Sequence, residues 1–419
     1  MTVEQEVRRQ LDVVASHAAE IVPEDELATM LRASVEEGRA LRVKYGIDPT
    51  NRHVHIGHLV PCRALRALQE LGHTAVLIVG DYTARIGDPT GRNAERPPLS
   101  DEEIRENTDR YAGQLFTVID ENRAELHYQS SWFTGMRLDE VLRLLASFSV
   151  AQMMAHETFR ARLDHGNRLS LHELIYPVLQ AYDSLMVEAD VEIGGTDQRF
   201  NCLCGRELQR SAGKRPQVVV TVPLLMGPDG RKMSKSMGNH IPLAMPAVEV
   251  VGKVMSVPDK LLPDYIRLAA GWSLEERAAA LEGLRHGDRH PRDVKLAVAE
   301  SVAAGLHGTA SARRAVDEFE RVFSRREAPE AMPEIEVAHR HVGIVDLVLL
   351  AALAGSRSEV RRLIEQGGVR IDGEPVADHA AVVELPAGQS RVLRVGRRRF
   401  VRMRAASPSA ADPPAVDPR

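Results

Sequence analysis

Cysteine is scarce in this chain: Cys62, Cys202 and Cys204 are the only thiols in 419 residues. The count is odd, and no second close pair accompanies Cys202 and Cys204. Neither a disulfide framework nor a four-cysteine zinc site can be built from them, so buried thiols in a reducing cytoplasm are expected. Long apolar runs are also missing. No stretch reaches the roughly 20 residues that a bilayer-spanning helix needs, and Met1-Thr2-Val3-Glu4-Gln5-Glu6 is charged, unlike a signal peptide. The expectation is a cytoplasmic protein with no membrane partner. Nor is there a general basic excess: the formal net charge of −5 excludes a wholly basic nucleic-acid coat. Positive charge is instead concentrated late. Arg391, Arg394, Arg397, Arg398, Arg399, Arg402 and Arg404 have no acidic residue between them, which predicts a polyanion partner at that end only. No internal repeat is present.

What the chain does have is the composition of a soluble globular protein, 44% hydrophobic and 27% charged, and a length that suits about three domains. One stretch organises the first of them: Tyr45-Gly46-Ile47-Asp48-Pro49-Thr50-Asn51-Arg52-His53-Val54-His55-Ile56-Gly57-His58. Before it, Ala40 to Gly46 reads as a short buried strand. After it, Leu59 to Leu68 has helical spacing, with Pro61 at an early position that tolerates proline. Gly57 lets a flat base approach the backbone, and the imidazoles beside helix-start amides can donate to phosphate oxygens. Three readings compete: a plain polar turn, a metal site using His53, His55 and His58, and a nucleotide site. No acidic or cysteine ligand stands beside the histidines at a recognisable metal spacing, so no metal ligands are assigned.

A second stretch bears on the choice. Met226-Gly227-Pro228-Asp229-Gly230-Arg231-Lys232-Met233-Ser234-Lys235-Ser236 reads as a loop rich in turn residues that carries two lysines among small hydroxyl side chains. Taken alone it is a solvated charged loop.

In chain order, residues 3 to 38 look helical. Ala75 to Asp81 is a continuous apolar run stopped by glycine, hence a buried parallel strand. Strand, helix and strand make a βαβ unit, and the class is α/β with a doubly wound parallel sheet whose ligands lie beyond the strand carboxyl ends. Residues at about 100–168 read as a helical insertion, in which Phe148, Val150, Met153 and Met154 offer an apolar contact surface. In Leu171 to Ser184, Tyr176, Gln180 and Asp183 share one helix face; three polar groups amid leucines and valines suit a pocket for a polar ligand. Val218 to Val222 is another buried strand. The expected division is 1–240 as the nucleotide domain, 241–328 as an α-helical domain, 329–341 as a linker and 342–404 as a small α+β unit. Residues 405–419 are expected to be a disordered tail. In the small unit, a helix from Ser358 ends at Gly367-Gly368, and Val369 to Val376 reads as a hairpin.

The ordered pair His55-Ile56-Gly57-His58 and Lys232-Met233-Ser234-Lys235-Ser236 resembles the paired motifs of class I aminoacyl-tRNA synthetases. Gly46 to Thr50, Ile86 to Gly91, Gln180 to Asp183 and Gly194-Gly195-Thr196-Asp197-Gln198 narrow the resemblance to bacterial tyrosyl-tRNA synthetases over nearly the whole length. The last unit resembles the alpha-L RNA-binding module, and the helical one the family's anticodon-binding domain. The resemblance implies activation of L-tyrosine by ATP, with Mg²⁺ bound alongside the nucleotide, and transfer to tRNA(Tyr) by a homodimer formed through the insertion. It implies that Thr50, His55, His58, Lys232 and Lys235 are catalytic, with Thr50, His55, Lys232 and Lys235 on the leaving pyrophosphate and His58 against the nucleotide. It implies further that Asp48, Gly57, Asp197, Met233 and Ser234 bind ATP, and that Lys44, Thr83, Asp88, Tyr176, Gln180, Asp183 and Gln198 bind tyrosine. Asp183 would accept from the phenol.

One position departs from the pattern of many members, where a tyrosine shares the phenol with that aspartate. Here Lys44 stands there, and Tyr45 is one residue out of phase. Lys44 is expected to pair with Asp183 or to bond the phenol itself. Three alternatives stay open: a non-catalytic RNA-binding relative, an adenylate-forming enzyme for an unusual aromatic acid, and a tryptophan-specific relative.

Overall fold

Five of the six residues of Thr74–Val79 and all five of Val218–Val222 are buried. Strands apolar on both faces need cover on both faces, the condition of a parallel sheet between helices. They belong to a six-stranded sheet of β1 (Glu20–Val22), β2 (Arg42–Ile47), β3 (Thr74–Val79), β4 (Ala124–Tyr128), β5 (Val191–Gly195) and β6 (Val218–Val222), in the order β1-β6-β5-β2-β3-β4. Strands β2 to β6 are parallel, and β1 runs antiparallel to β6 at one edge. From β2 the order proceeds through β3 to β4 on one side and through β5 to β6 on the other. A crevice opens at such a reversal, beyond the carboxyl ends, so the doubly wound class is borne out.

In this computed structural model, residues 1–50, 54–91, 99–234, 237–323, 329, 332–386, 388–396 and 399–406 are described. They fall into two compact units, 1–312 and 313–419.

Two sequence expectations in the first unit need correction. Residues 3 to 38 are not one helical stretch: α1 (Val3–His17) and α2 (Glu24–Glu37) flank β1, whose residues pair with Val219 to Thr221. Within 100–168, read as mainly helical, β4 is a strand that the reading did not place. Ala124–Tyr128 is an edge strand with every residue half-buried, so it shows no apolar run for a sequence reading to find. The helices after β6 include Ala247–Met255, Leu274–His286 and Pro291–His307. They share the sheet's unit as far as residue 312. Polar ties hold them there: Tyr265 Oη donates to Met226 O at 2.9 Å, and Arg63 Nη1 donates to Leu268 O at 2.6 Å.

The second unit has its own core, including Ile344, Leu347, Val348, Val360, Leu393, Val395 and Met403. Its sheet, in the order β10-β9-β12-β13-β7, comprises β7 (Glu334–Val337), β9 (Val369–Ile371), β10 (Glu374–Pro375), β12 (Ser390–Val395) and β13 (Arg399–Ala405). The strands β8 (His341–Gly343) and β11 (Val382–Glu384) pair separately. The hairpin expected at 369–376 is the β9–β10 pair. The linker expected at 329–341 is corrected: Glu334–Val337 runs parallel to Arg402–Ala405 as part of the sheet. Its Pro-Glu-rich approach resembles a tether, but the alternation Glu-Ile-Glu-Val is that of an edge strand with one face inward. Of the expected tail, Ala405 ends β13 and residues 407–419 lie outside the described residues. No helix among the described residues is long and apolar enough to cross a membrane.

Candidate active site

The two motifs are far apart in sequence, and backbone pairing joins them. Ile56 N donates to Ile241 O at 3.0 Å, and Leu243 N to Val54 O at 3.0 Å. The segment following the lysine loop is thereby bonded to the histidine turn. Both face a cavity of about 1380 Å³ beyond the carboxyl ends of the sheet.

The turn follows β2 and leads through Ile56–His58 into α3 (Leu59–Glu70). His58 Nδ1 accepts the backbone N–H of His55 at 3.1 Å, which leaves the ring proton of neutral His58 on Nε2 as a donor. Burial pushes the His58 imidazole down to about 4, and burial with His58 beside it pushes His55 down to about 2. Both rings are therefore neutral at pH 7, packed with centroids 3.8 Å apart. A Cβ on Gly57 would come to 3.0 Å from His55 Nδ1 and 3.8 Å from Met233 Sδ. Glycine is what lets His55 and the lysine loop close together.

On the other side of the cavity, Lys232 Nζ lies 2.5 Å from Asp197 Oδ2, at the turn after β5. Asn239 clasps the loop: its Oδ1 accepts Ser234 N–H at 2.8 Å, and its Nδ2 donates to Asp229 Oδ1 at 2.7 Å and Lys232 O at 3.1 Å. Lys235 lies outside the described residues, as do Ser236 and His53.

The deep end of the cavity belongs to the helix Leu171–Met186, which continues through Pro177. Tyr176, Gln180 and Asp183 all line the cavity, as one face of a helix should. Tyr176 Oη donates to Asp48 Oδ2 at 2.9 Å. The Thr83 hydroxyl lies 2.7 Å from Asp48 Oδ1, and Gln198 Nε2 donates to Asp88 Oδ2 at 2.7 Å. Asp48, expected among the ATP residues, is thus held by two residues expected around tyrosine. A Cβ on Gly80 would sit 2.1 Å from Asp48 Oδ1, so only glycine admits that carboxylate. Burial pushes Asp183 up to about 7, against the opposing charge of Lys44 and hydrogen bonds from Gln129 and Trp132.

Every site residue read from the sequence lines this cavity except Lys44 and Lys235. Lys44 corrects an expectation: its ammonium makes no pair with Asp183. It is fully buried, pairs with Glu192 Oε1 at 3.0 Å, and donates to Ser184 Oγ at 2.7 Å and Gln180 O at 2.9 Å. The strand register explains this, because Lys44 stands directly across from Glu192 on β5. A buried ammonium takes the nearest carboxylate with further acceptors around it.

Sequence reading missed Gln129 and Trp132. Gln129 Nε2 donates to Asp183 Oδ2 at 2.7 Å, its Oε1 accepts Thr83 N–H at 2.9 Å, and Trp132 Nε1 donates to Asp183 Oδ1 at 3.2 Å. Both residues follow β4. Recognising that strand would have pointed to them, since its carboxyl end opens on the same crevice.

Residues 36–324 match the family of tRNA synthetases class I (W and Y), and residues 345–384 match the S4 domain. The tyrosine--tRNA ligase of Moorella thermoacetica is 44% identical over 96% of this chain and 97% of its own length. That of Thermotoga maritima is 42% identical over 96% and 98%. Among solved structures, the fold matches Archaeoglobus fulgidus tyrosyl-tRNA synthetase complexed with L-tyrosine, with a TM-score of 0.59 and 24% identity over 74% of this chain and 99% of that one. A C-terminally truncated mitochondrial tyrosyl-tRNA synthetase from Aspergillus nidulans matches with a TM-score of 0.63 and 21% identity over 76% and 97%. With its histidine turn and lysine loop bonded around one cavity, the chain belongs to the class I tRNA synthetases, in the family that contains the bacterial tyrosine--tRNA ligases.

Proposed function

We propose that this cavity joins L-tyrosine to tRNA(Tyr) in two steps, through a tyrosyl-adenylate. The observation that carries the reading is a buried carboxylate, Asp183, in one cavity with the histidine turn and Lys232. The tyrosine phenol donates to Asp183, which Gln129 and Trp132 hold in place. The α-ammonium meets Asp48, Asp88, Tyr176 Oη and the oxygen of Gln180, with Thr83 and Gln198 fixing the two carboxylates. Lys44 acts from behind this pocket and does not touch the phenol.

In the first step the tyrosine carboxylate attacks the α-phosphorus of ATP, and pyrophosphate leaves with the bond electrons. The carboxylate is already ionised at neutral pH, so no general base is needed. His58 Nε2, His55, Thr50, Lys232 and Lys235 contact the phosphates, while Asp197 takes the ribose and Gly57, Met233 and Ser234 border the nucleotide. Asp197 is free for the ribose once Lys232 turns to the phosphates. Charge held by positioned donors as pyrophosphate departs lowers the barrier. Mg²⁺ bound with ATP would be held mainly by phosphates and water and would offset the charge of the leaving pyrophosphate. In the second step a ribose hydroxyl of the tRNA 3′-terminal adenosine attacks the tyrosyl carbonyl, and AMP leaves.

The helices after residue 241 serve the anticodon end, and the S4 unit grips RNA by shape and phosphate contacts. A homodimer is supported by apolar side chains exposed on the insertion: Leu138 and Val150 are 73% and 72% exposed, and Leu142 and Leu163 are also open. Met153, which the sequence placed on an apolar contact surface there, is instead buried with Leu144 and Leu208. Similarity to bacterial tyrosine--tRNA ligases supports a cytoplasmic location.

The test is amino-acid-dependent ATP–pyrophosphate exchange over all twenty amino acids and close tyrosine analogues. Exchange with tyrosine above all others is expected, and a preference for tryptophan or a non-protein aromatic acid would overturn the reading.

A further inference from the structure

Glu192 lies at the inner end of β5 and is 1% exposed. Four nitrogen and oxygen donors meet its carboxylate, beside the Cys202 thiol. Oε1 takes Lys44 Nζ at 3.0 Å and Gln180 Nε2 at 3.1 Å, and Oε2 takes Gln217 Nε2 at 2.5 Å and Ser184 Oγ at 3.2 Å. A carboxylate paired with a lysine accepts hydrogen bonds and cannot give them. The end of the Gln180 amide that meets it must therefore be the NH₂ group, and the amide oxygen is turned the other way. Gln180 and Glu192 both border the cavity, so an amide oxygen turned from Glu192 is open to a ligand there. The remaining neighbour of Gln180 Nε2, Cys202 Sγ at 3.9 Å, is a weak acceptor and favours the same orientation.

We propose that Glu192 is a positioning residue for amino-acid recognition: it fixes the Gln180 amide so that an acceptor, not a donor, meets the substrate's α-ammonium. The proposal rests on the assignment of Gln180 to that ammonium. An amide reversed by half a turn presents N–H groups to a cation, which removes an acceptor and adds repulsion. With glutamine at 192 either orientation of Gln180 finds a partner, because an amide both donates and accepts. Lys44 has a share in this, since from the adjacent strand it pairs with Glu192 Oε1 at 3.0 Å.

The test compares binding of L-tyrosine with binding of 3-(4-hydroxyphenyl)propanoate, the same molecule without its amino group. Calorimetric titration is applied to the wild-type chain, Glu192→Gln, and the double variant Lys44→Met with Glu192→Gln. The double variant removes the ammonium that the single one leaves buried without a counter-charge, so it decides the matter if the single variant does not fold. Either folded variant should raise the Kd for tyrosine by about tenfold, the effect of one lost charge-assisted hydrogen bond, and leave the analogue's Kd unchanged. Equal weakening of both ligands, or of neither, would overturn the proposal. If the wild-type chain itself binds both equally, the assignment of Gln180 to the ammonium fails, and that failure is visible before any variant is made.

Discussion

His55 and Pro242 face each other across an isolated antiparallel bridge. Through it, the segment that ends the lysine loop is bonded to the turn that begins α3. Together with the Asn239 clasp, this anchors the loop so that Lys232 starts from a defined place beside Asp197. Lys232→Ala should therefore slow adenylate formation by about a hundredfold, on the order of 3 kcal/mol. The Kd for tyrosine should change little. Rapid-mixing measurement of the first turnover separates the two quantities; a normal rate with weakened tyrosine binding would remove Lys232 from its assigned role.

Asp183 is the group whose loss should change selectivity rather than activity in general. A phenol satisfies its carboxylate and a phenyl ring does not, and a buried charged acceptor left bare is costly. Asp183→Ala should reduce kcat/KM for tyrosine activation much more than for phenylalanine, collapsing their ratio. Lys44→Met should move that ratio less, because Lys44 touches neither ligand directly.

The same residue predicts a pH dependence. Burial raises Asp183 to about 7, so its accepting, ionised form is populated above that pH and lost below it. The tyrosine-to-phenylalanine ratio in pyrophosphate exchange should therefore rise between pH 6 and pH 8 and level off above. Asp183→Asn should flatten the profile. A wild-type ratio independent of pH across that window would contradict the assignment.

His73 ties α1 to the sheet: its Nδ1 accepts Leu41 N–H at 3.2 Å, and its Nε2 donates to Gln10 Oε1 at 3.1 Å. Burial pushes this imidazole down to about 4. The unfolded chain binds the proton more readily, so the neutral ring's contribution is present above about pH 6.5 and is lost progressively as pH falls to about 4. The loss approaches about 3 kcal/mol at the acid end. Urea unfolding at pH 7 and pH 4.5 should show it, and His73→Gln should narrow the difference between the two.

The position of β7 changes where the chain can be cut. A chain ending at Phe323 should keep pyrophosphate exchange and lose most tRNA charging, and charging by the full chain should fall steeply with salt. A chain ending at Val337 should exchange equally well but aggregate more, since Glu334–Val337 would keep a sheet edge without β13 beside it. Light scattering and charging assays on the two truncations check this, and undiminished charging after the first cut would dissociate the S4 unit from RNA binding.

Local chemistry was legible without the fold. The apolar runs of β3 and β6, the helix face carrying Tyr176, Gln180 and Asp183, the glycine beside His55 and the β9–β10 hairpin all follow from periodicity and turn residues, which act over a few positions. What the sequence left undecided depended on strand register and on distant partners. β4 carries no apolar run, so Gln129 and Trp132 stayed invisible as the holders of Asp183. Lys44 and Glu192 are 148 positions apart in number but opposite in the sheet, and only that register turned the lysine away from the phenol and onto a buried carboxylate. A side chain's type sets what it can bond with; which partner it gets is decided by the pairing of strands, because a buried charge must take whatever the packed interior brings within about 3 Å.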